Sequence, residues 1–120
     1  MKSELIHNFL LSKNYKYEPR GPGDADYVVG NYYRVPYDVK DLPLCLCNDK
    51  PPQIHVQESY FGVNSSEFHN FTIGLRNEAP QGWINFEFYN LSEPELIERF
   101  DPIVEALFSA WRTLSAPPAN

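Results

Sequence analysis

The stretch LCLCNDKPPQIHV at 44–56 holds both cysteines of the chain and one of its three histidines. Thiolate and imidazole are the ligands zinc prefers, and a structural zinc site takes four of them in tetrahedral array. Two residues apart in a strand, Cys45 and Cys47 share one face. If "LPLCLCN" pairs with "IHVQESYF" through the proline-stiffened "DKPPQ", with residue 47 opposite 54, that face also carries Ile54 and Val56. His55 then points the other way, with Leu44 and Leu46. A one-residue shift in register brings His55 beside the thiols, but no fourth ligand follows. C-x-C is also not the C-x-x-C of a thioredoxin-like redox centre, and neighbouring strand thiols are badly oriented for a disulfide. The expectation is two buried, apolar cysteines, with no metal and no cofactor.

Other constellations are weaker. Ser65, Ser66, Glu67 and His69 crowd together in "VNSSEFHN". A catalytic triad is defined by roles in space, however, and no strand–G-x-S-x-G–helix context surrounds them. Asp24 and Asp26 in "RGPGDAD" fall short of a calcium loop, which recruits more oxygen ligands. Glu93, Glu95 and Glu98 look like paired carboxylates, yet acidic residues suit a helix's first turn because of its dipole. Glycines are too scattered to cradle a phosphate.

The elements that would position these groups follow from periodicity. Ser3 caps a short helix over about 4–12, with Leu5, Ile6, Phe9 and Leu10 as its apolar stripe. Tyr15 and Tyr17 alternate with Lys16 and Glu18, as in a half-buried strand, and the Gly/Pro-dense "RGPGDAD" is a loop. Residues 26–35 read as a second strand, with Tyr27, Val29, Tyr33 and Val35 on one face and Val28, Tyr32 and Arg34 on the other. "FHNFTIGLR" and "WINFEFYN" flank the turn-prone "NEAPQG" and predict a hairpin. Its expected register sets Leu75 against Ile84, Ile73 against Phe86 and Phe71 against Phe88, with Arg76 over Trp83 as a cation–π pair. The C-terminal "SEPELIERFDPIVEALFSAWRTL" opens on the capping-box spacing of Ser92 and Glu95. Its apolar residues then recur at three- and four-residue steps. Pro102 should kink or restart this helix, with Asp101 as a second cap, and 115–120 reads as a frayed tail. The fold class is therefore α+β in a single domain over 1–120. It comprises an antiparallel sheet of about four to six strands, a short N-terminal helix and a long kinked C-terminal helix on one sheet face.

Charge narrows the partners. The net charge is -6, and the excess lies wholly beyond residue 50, where three Arg face nine Asp and Glu. Such a surface repels phosphate backbones, so no nucleic acid is expected, whereas a basic partner would be drawn in. The N-terminal segment lacks a signal peptide's unbroken apolar run, and no membrane-spanning stretch is present. The reading is cytoplasmic, with reduced thiols and unmodified N-x-S/T triplets at Asn64, Asn70 and Asn90.

With eight Tyr, eight Phe and two Trp, the chain has more aromatic area than two helices can cover on both sides of a sheet. Aromatic residues left on the uncovered face are what interfaces are rich in. The expectation is a non-enzymatic protein-interaction module that binds a protein partner, or itself as a homodimer, through Tyr32, Tyr33, Arg76, Trp83 and Tyr89. No catalytic residue is assigned. The alternative is a small enzyme or ligand-binding domain, with a pocket between sheet and C-terminal helix that uses His55, His69, Glu67 and a tyrosine.

Overall fold

A computed structural model describes residues 2–34, 53–63, 66–79 and 82–115, and only the backbone of 61–63, 66–68, 77–79, 82–86 and 114–115. Cys45, Cys47, Val35, Ser65 and the tail 116–120 lie outside the described residues.

Ser3 caps α1 (Glu4–Ser12), its Oγ accepting the Ile6 amide at 3.3 Å. The helix ends at Asn14, whose φ of 69° is the left-handed conformation that asparagine tolerates. Among the described residues five strands follow: β1 (Tyr15–Pro19), β2 (Val28–Arg34), β3 (Gln53–Val63), β4 (Ser66–Ala79) and β5 (Gly82–Leu91). They form an antiparallel meander in the order β1-β2-β3-β4-β5. Then α2 (Glu93–Ser115) closes the described chain. The α+β architecture is as the periodicities predict.

Alternation decides which side chains face the helices. Tyr15 and Tyr17, Tyr32, Ile54 and Val56, and Phe71, Ile73 and Leu75 all turn to one face. There they meet Ile6 and Leu10 of α1, and Leu96, Phe100, Ile103, Val104, Leu107 and Trp111 of α2. Each such side chain, once buried, stabilises the fold by about 1.5–3 kcal/mol, so this inner layer holds the molecule together.

Three expectations need correction. The β4–β5 register is displaced by two residues: Leu75 pairs with Phe86 and Ile73 with Phe88, and the strands run on to Ala79 and Gly82. A two-residue slip keeps every side chain on its face, so apolar pattern alone cannot choose between the registers. The longer pairing adds ladder hydrogen bonds and wins. Arg76 consequently lies opposite Asn85, and Trp83 opposite Glu78.

Next, "IHV" has different neighbours from those expected. From His55 to Glu58 both edges of β3 are occupied, by β2 and by β4. Val56 sits between Tyr32 and Ile73, two inner-face residues that match it.

Last, α2 neither restarts nor takes a new cap at Asp101, but runs as one element with Pro102 inside it. Glu98 and Pro102 are both exposed, so water can satisfy the carbonyl that loses its amide partner. Asp101 instead accepts from Lys13 Nζ at 3.1 Å. The capping box does form: the Ser92 amide donates to Glu95 Oε1 at 3.2 Å, and the Glu95 amide to Ser92 Oγ at 3.4 Å.

Two bulges bend the sheet. Between the pairs Val28–Ser59 and Gly30–Glu58, β2 carries one extra residue. Between Ile73–Phe88 and Phe71–Leu91, β5 does the same, at Tyr89–Asn90. Asn90 has φ 59°, and a bulge of this kind re-aims its neighbour.

Candidate functional site

On the outer face, opposite the helices, register aligns Lys16, Tyr33, His55, Gly74 and Glu87 in one row across all five strands. The Tyr33 and His55 rings stack at 4.8 Å between centroids, 20° from parallel. Arg76 Nη1 lies 3.3 Å from His55 Nδ1. A guanidinium can only donate, so Nδ1 accepts and the imidazole proton sits on Nε2. Nε2 then donates to Asn31 Oδ1 at 2.9 Å, which also accepts from Gln57 Nε2 at 3.2 Å. Asn31 Nδ2 donates onward to Asp24 Oδ2 at 3.2 Å, and the Gly21 amide donates to the same oxygen at 2.9 Å. Loop 20–27, β2, β3 and β4 are thus tied into one polar network.

This network is buried although neither described helix lies on its face: His55 is only 7% exposed. Burial first, and the Arg76 charge second, push the imidazole pKa down to about 4, so the ring is neutral at physiological pH. Burial likewise raises the Tyr33 hydroxyl. At the β5 margin Tyr89 is 64% exposed, and its bond to Glu87 raises its phenol pKa.

Of the residues expected to contact a partner, Tyr33, Arg76 and Tyr89 occupy this outer face. Tyr32 does not. It is 0% exposed, with its hydroxyl 3.0 Å from His7 Nδ1 under α1, because neighbours in a strand must point to opposite faces. The Trp83 side chain lies outside the described residues. Asn31 and Gln57 were not singled out from sequence, and Asp24 was weighed only with Asp26 as a cation ligand, because their union depends on a β2–β3 register that spans eighteen intervening residues.

A second cluster lies on the inner face. Glu58, 0% exposed, accepts the Ser3 amide at 2.8 Å through Oε2, and His69 Nδ1 lies 2.6 Å from the same oxygen. Burial raises the Glu58 pKa, opposed by these two partners and reinforced by Glu93. Its Oε1 has no hydrogen-bond partner among the described residues. His69 therefore meets Glu58, while the side chains of Glu67 and Ser66 lie outside the described residues. The Ser3 hydroxyl is committed to the Ile6 amide, so the carboxylate–imidazole pair anchors the start of α1.

A cleft of about 390 Å³ opens elsewhere, between α2 and the β1–β2 margin, where Tyr15, Arg34, Phe100, Asp101 and Glu105 line it. Neither His55, Glu58 nor His69 reaches it. Among the described residues no three His, Cys, Asp or Glu side chains gather as metal ligands, and no helix is long and apolar enough to cross a membrane. No protein-family model matches the chain, and no curated protein or solved structure matches it either.

Proposed function

We propose that this chain is a non-enzymatic protein-binding module whose contact surface is the outer sheet face around Tyr33, Arg76 and Tyr89. One observation carries the reading: the Tyr33–His55 stack is held by hydrogen bonds from His55 to Arg76 and Asn31 on the face opposite both helices. Polar groups fixed in this way lose little entropy on binding, and Tyr and Arg are the side chains that dominate contact energies. The bulge at Tyr89–Asn90 adds an exposed aromatic at the margin of the same face. The test is recovery of co-purifying proteins from the native cell by the wild-type chain and by Tyr89→Ala/Arg76→Ala. The double variant should lose a partner that Leu5→Ala/Leu11→Ala, altered on the exposed side of α1, retains. Equal recovery by both contradicts the proposal.

A ligand-binding function is the second reading, favoured by the cleft beside α2, where aromatic walls meet both signs of charge. Its weakness is that the titratable pair Glu58–His69 lies away from the cleft, leaving no evident chemistry there.

A further inference from the structure

β5 pairs with β4 on one side and is the last strand of the sheet among the described residues. An edge strand presents unpaired amides and carbonyls, and proteins usually blunt such edges with lysine, proline or a bulge. β5 is ten residues long and contains no Pro, Lys or Arg. Its defences are the charge of Glu87 and the bulge at Tyr89–Asn90, which leaves Gly82–Phe88 in regular register with β4. The two faces of its C-terminal part differ. Phe88 pairs with Ile73 on the inner side yet is 41% exposed, whereas Glu87 and Tyr89 belong to the outer side.

Charge selects what can pair here. Residues 82–98 include Glu87, Glu93, Glu95 and Glu98 and no Lys or Arg, and the first turn of α2 begins directly after β5. A second copy docking edge to edge would bring two such acidic segments together, which like-charge repulsion opposes. A cationic strand would neutralise them.

Resting on the reading of the outer face as a binding surface, we propose that β5 accepts a basic, extended segment of a partner protein as a sixth strand. Backbone hydrogen bonds along Gly82–Phe88 supply the pairing. The segment alternates apolar residues, set beside Phe88, with Lys or Arg, set beside Glu87 and Tyr89.

The test titrates the full chain with three capped synthetic peptides and reads amide hydrogen exchange residue by residue. One alternates Lys with Val, one alternates Glu with Val, and one is the Lys peptide N-methylated at alternate amides. The Lys peptide should protect amides within 82–88, and its affinity should fall about tenfold between about 50 mM and about 500 mM salt as screening grows. The Glu and N-methylated peptides should not protect them. Glu87→Lys should shift the preference toward the Glu peptide. Equal binding of the Lys and Glu peptides overturns the proposal, as does protection that needs no peptide and grows with protein concentration, the sign of a second copy. A natural partner that contacts Tyr33 but leaves 82–88 unprotected overturns the edge and leaves the outer-face reading standing. A partner that touches neither removes both.

Discussion

Arg76 donates to His55 Nδ1 at 3.3 Å, and that one contact orients the rest of the outer face. It sets the imidazole tautomer, which aims Nε2–H at Asn31, and keeps a guanidinium beside a ring already buried against Tyr33. A second proton on His55 would remove the acceptor that Arg76 uses and add a positive charge next to it. The network therefore tolerates one protonation state.

The pH dependence follows from this. The folded His55 pKa lies at about 4, below its ordinary 6.5. The folded protein therefore resists protonation there more than the unfolded chain does. The stability tied to neutral His55 is complete above pH 6.5 and is lost as pH falls toward about 4, a loss on the order of 3 kcal/mol. Denaturant unfolding of wild type and His55→Gln at several pH values checks this: the wild type should weaken relative to the variant on acidification. Arg76→Met should shrink the difference, because it removes the charge contribution and leaves burial.

Glu58 has the opposite sign. Its folded pKa is raised, by burial first, so its contribution is complete at low pH and lost as pH climbs through the folded value. Glu58→Gln should gain on the wild type as pH rises from about 4.5 to about 8. A difference in unfolding free energy that is constant over that range would show that the carboxyl titrates normally in the fold.

Gly30 is fixed by a close approach. A Cβ there would lie 2.6 Å from Tyr17 Cε1 and 2.7 Å from its hydroxyl oxygen. The Tyr17 ring cannot easily withdraw, with His7 edge-on at 5.1 Å and Tyr32 at 5.0 Å. Gly30→Ala should cost about 1–3 kcal/mol of overpacking. Gly30→Ala combined with Tyr17→Ala should cost less than the sum of the two single changes, because the clash vanishes with the ring. Thermal unfolding of the three variants gives the coupling.

The bulge that presents Tyr89 depends on Asn90 at φ 59°. Asn90→Gly should leave stability nearly unchanged, whereas Asn90→Val should cost about 1–2 kcal/mol, since a β-branched residue resists the left-handed region. If Tyr89 contacts a partner, Asn90→Val should also weaken that contact.

Much of this architecture was legible in the sequence because its signals are local. Ser3, the Ser92/Glu95 box and the α2 stripe mark helices without reference to anything distant. Alternation assigned Tyr32 and Tyr33 to opposite faces, so the two could not share one contact surface, and burial places Tyr32 on the inner side. Glu58 stands in phase with Ile54 and Val56, a signal for a buried carboxylate that went unused. What local pattern could not supply was long-range register. The β4–β5 pairing could slip by two residues at no cost in face, and of the two partners of β3 only β4 adjoins it in sequence, β2 lying eighteen residues away. The His55–Asn31–Arg76 network exists only once both are fixed.

The most direct test of the outer-face claim is photo-cross-linking with a benzophenone amino acid placed singly at Tyr33, Tyr89, Leu5 or Leu11 in the full chain, in extracts of the native cell. One shared protein adduct should form from positions 33 and 89 and none of that species from 5 and 11. Adducts that arise from 5 and 11 instead, with 33 and 89 silent, would contradict it.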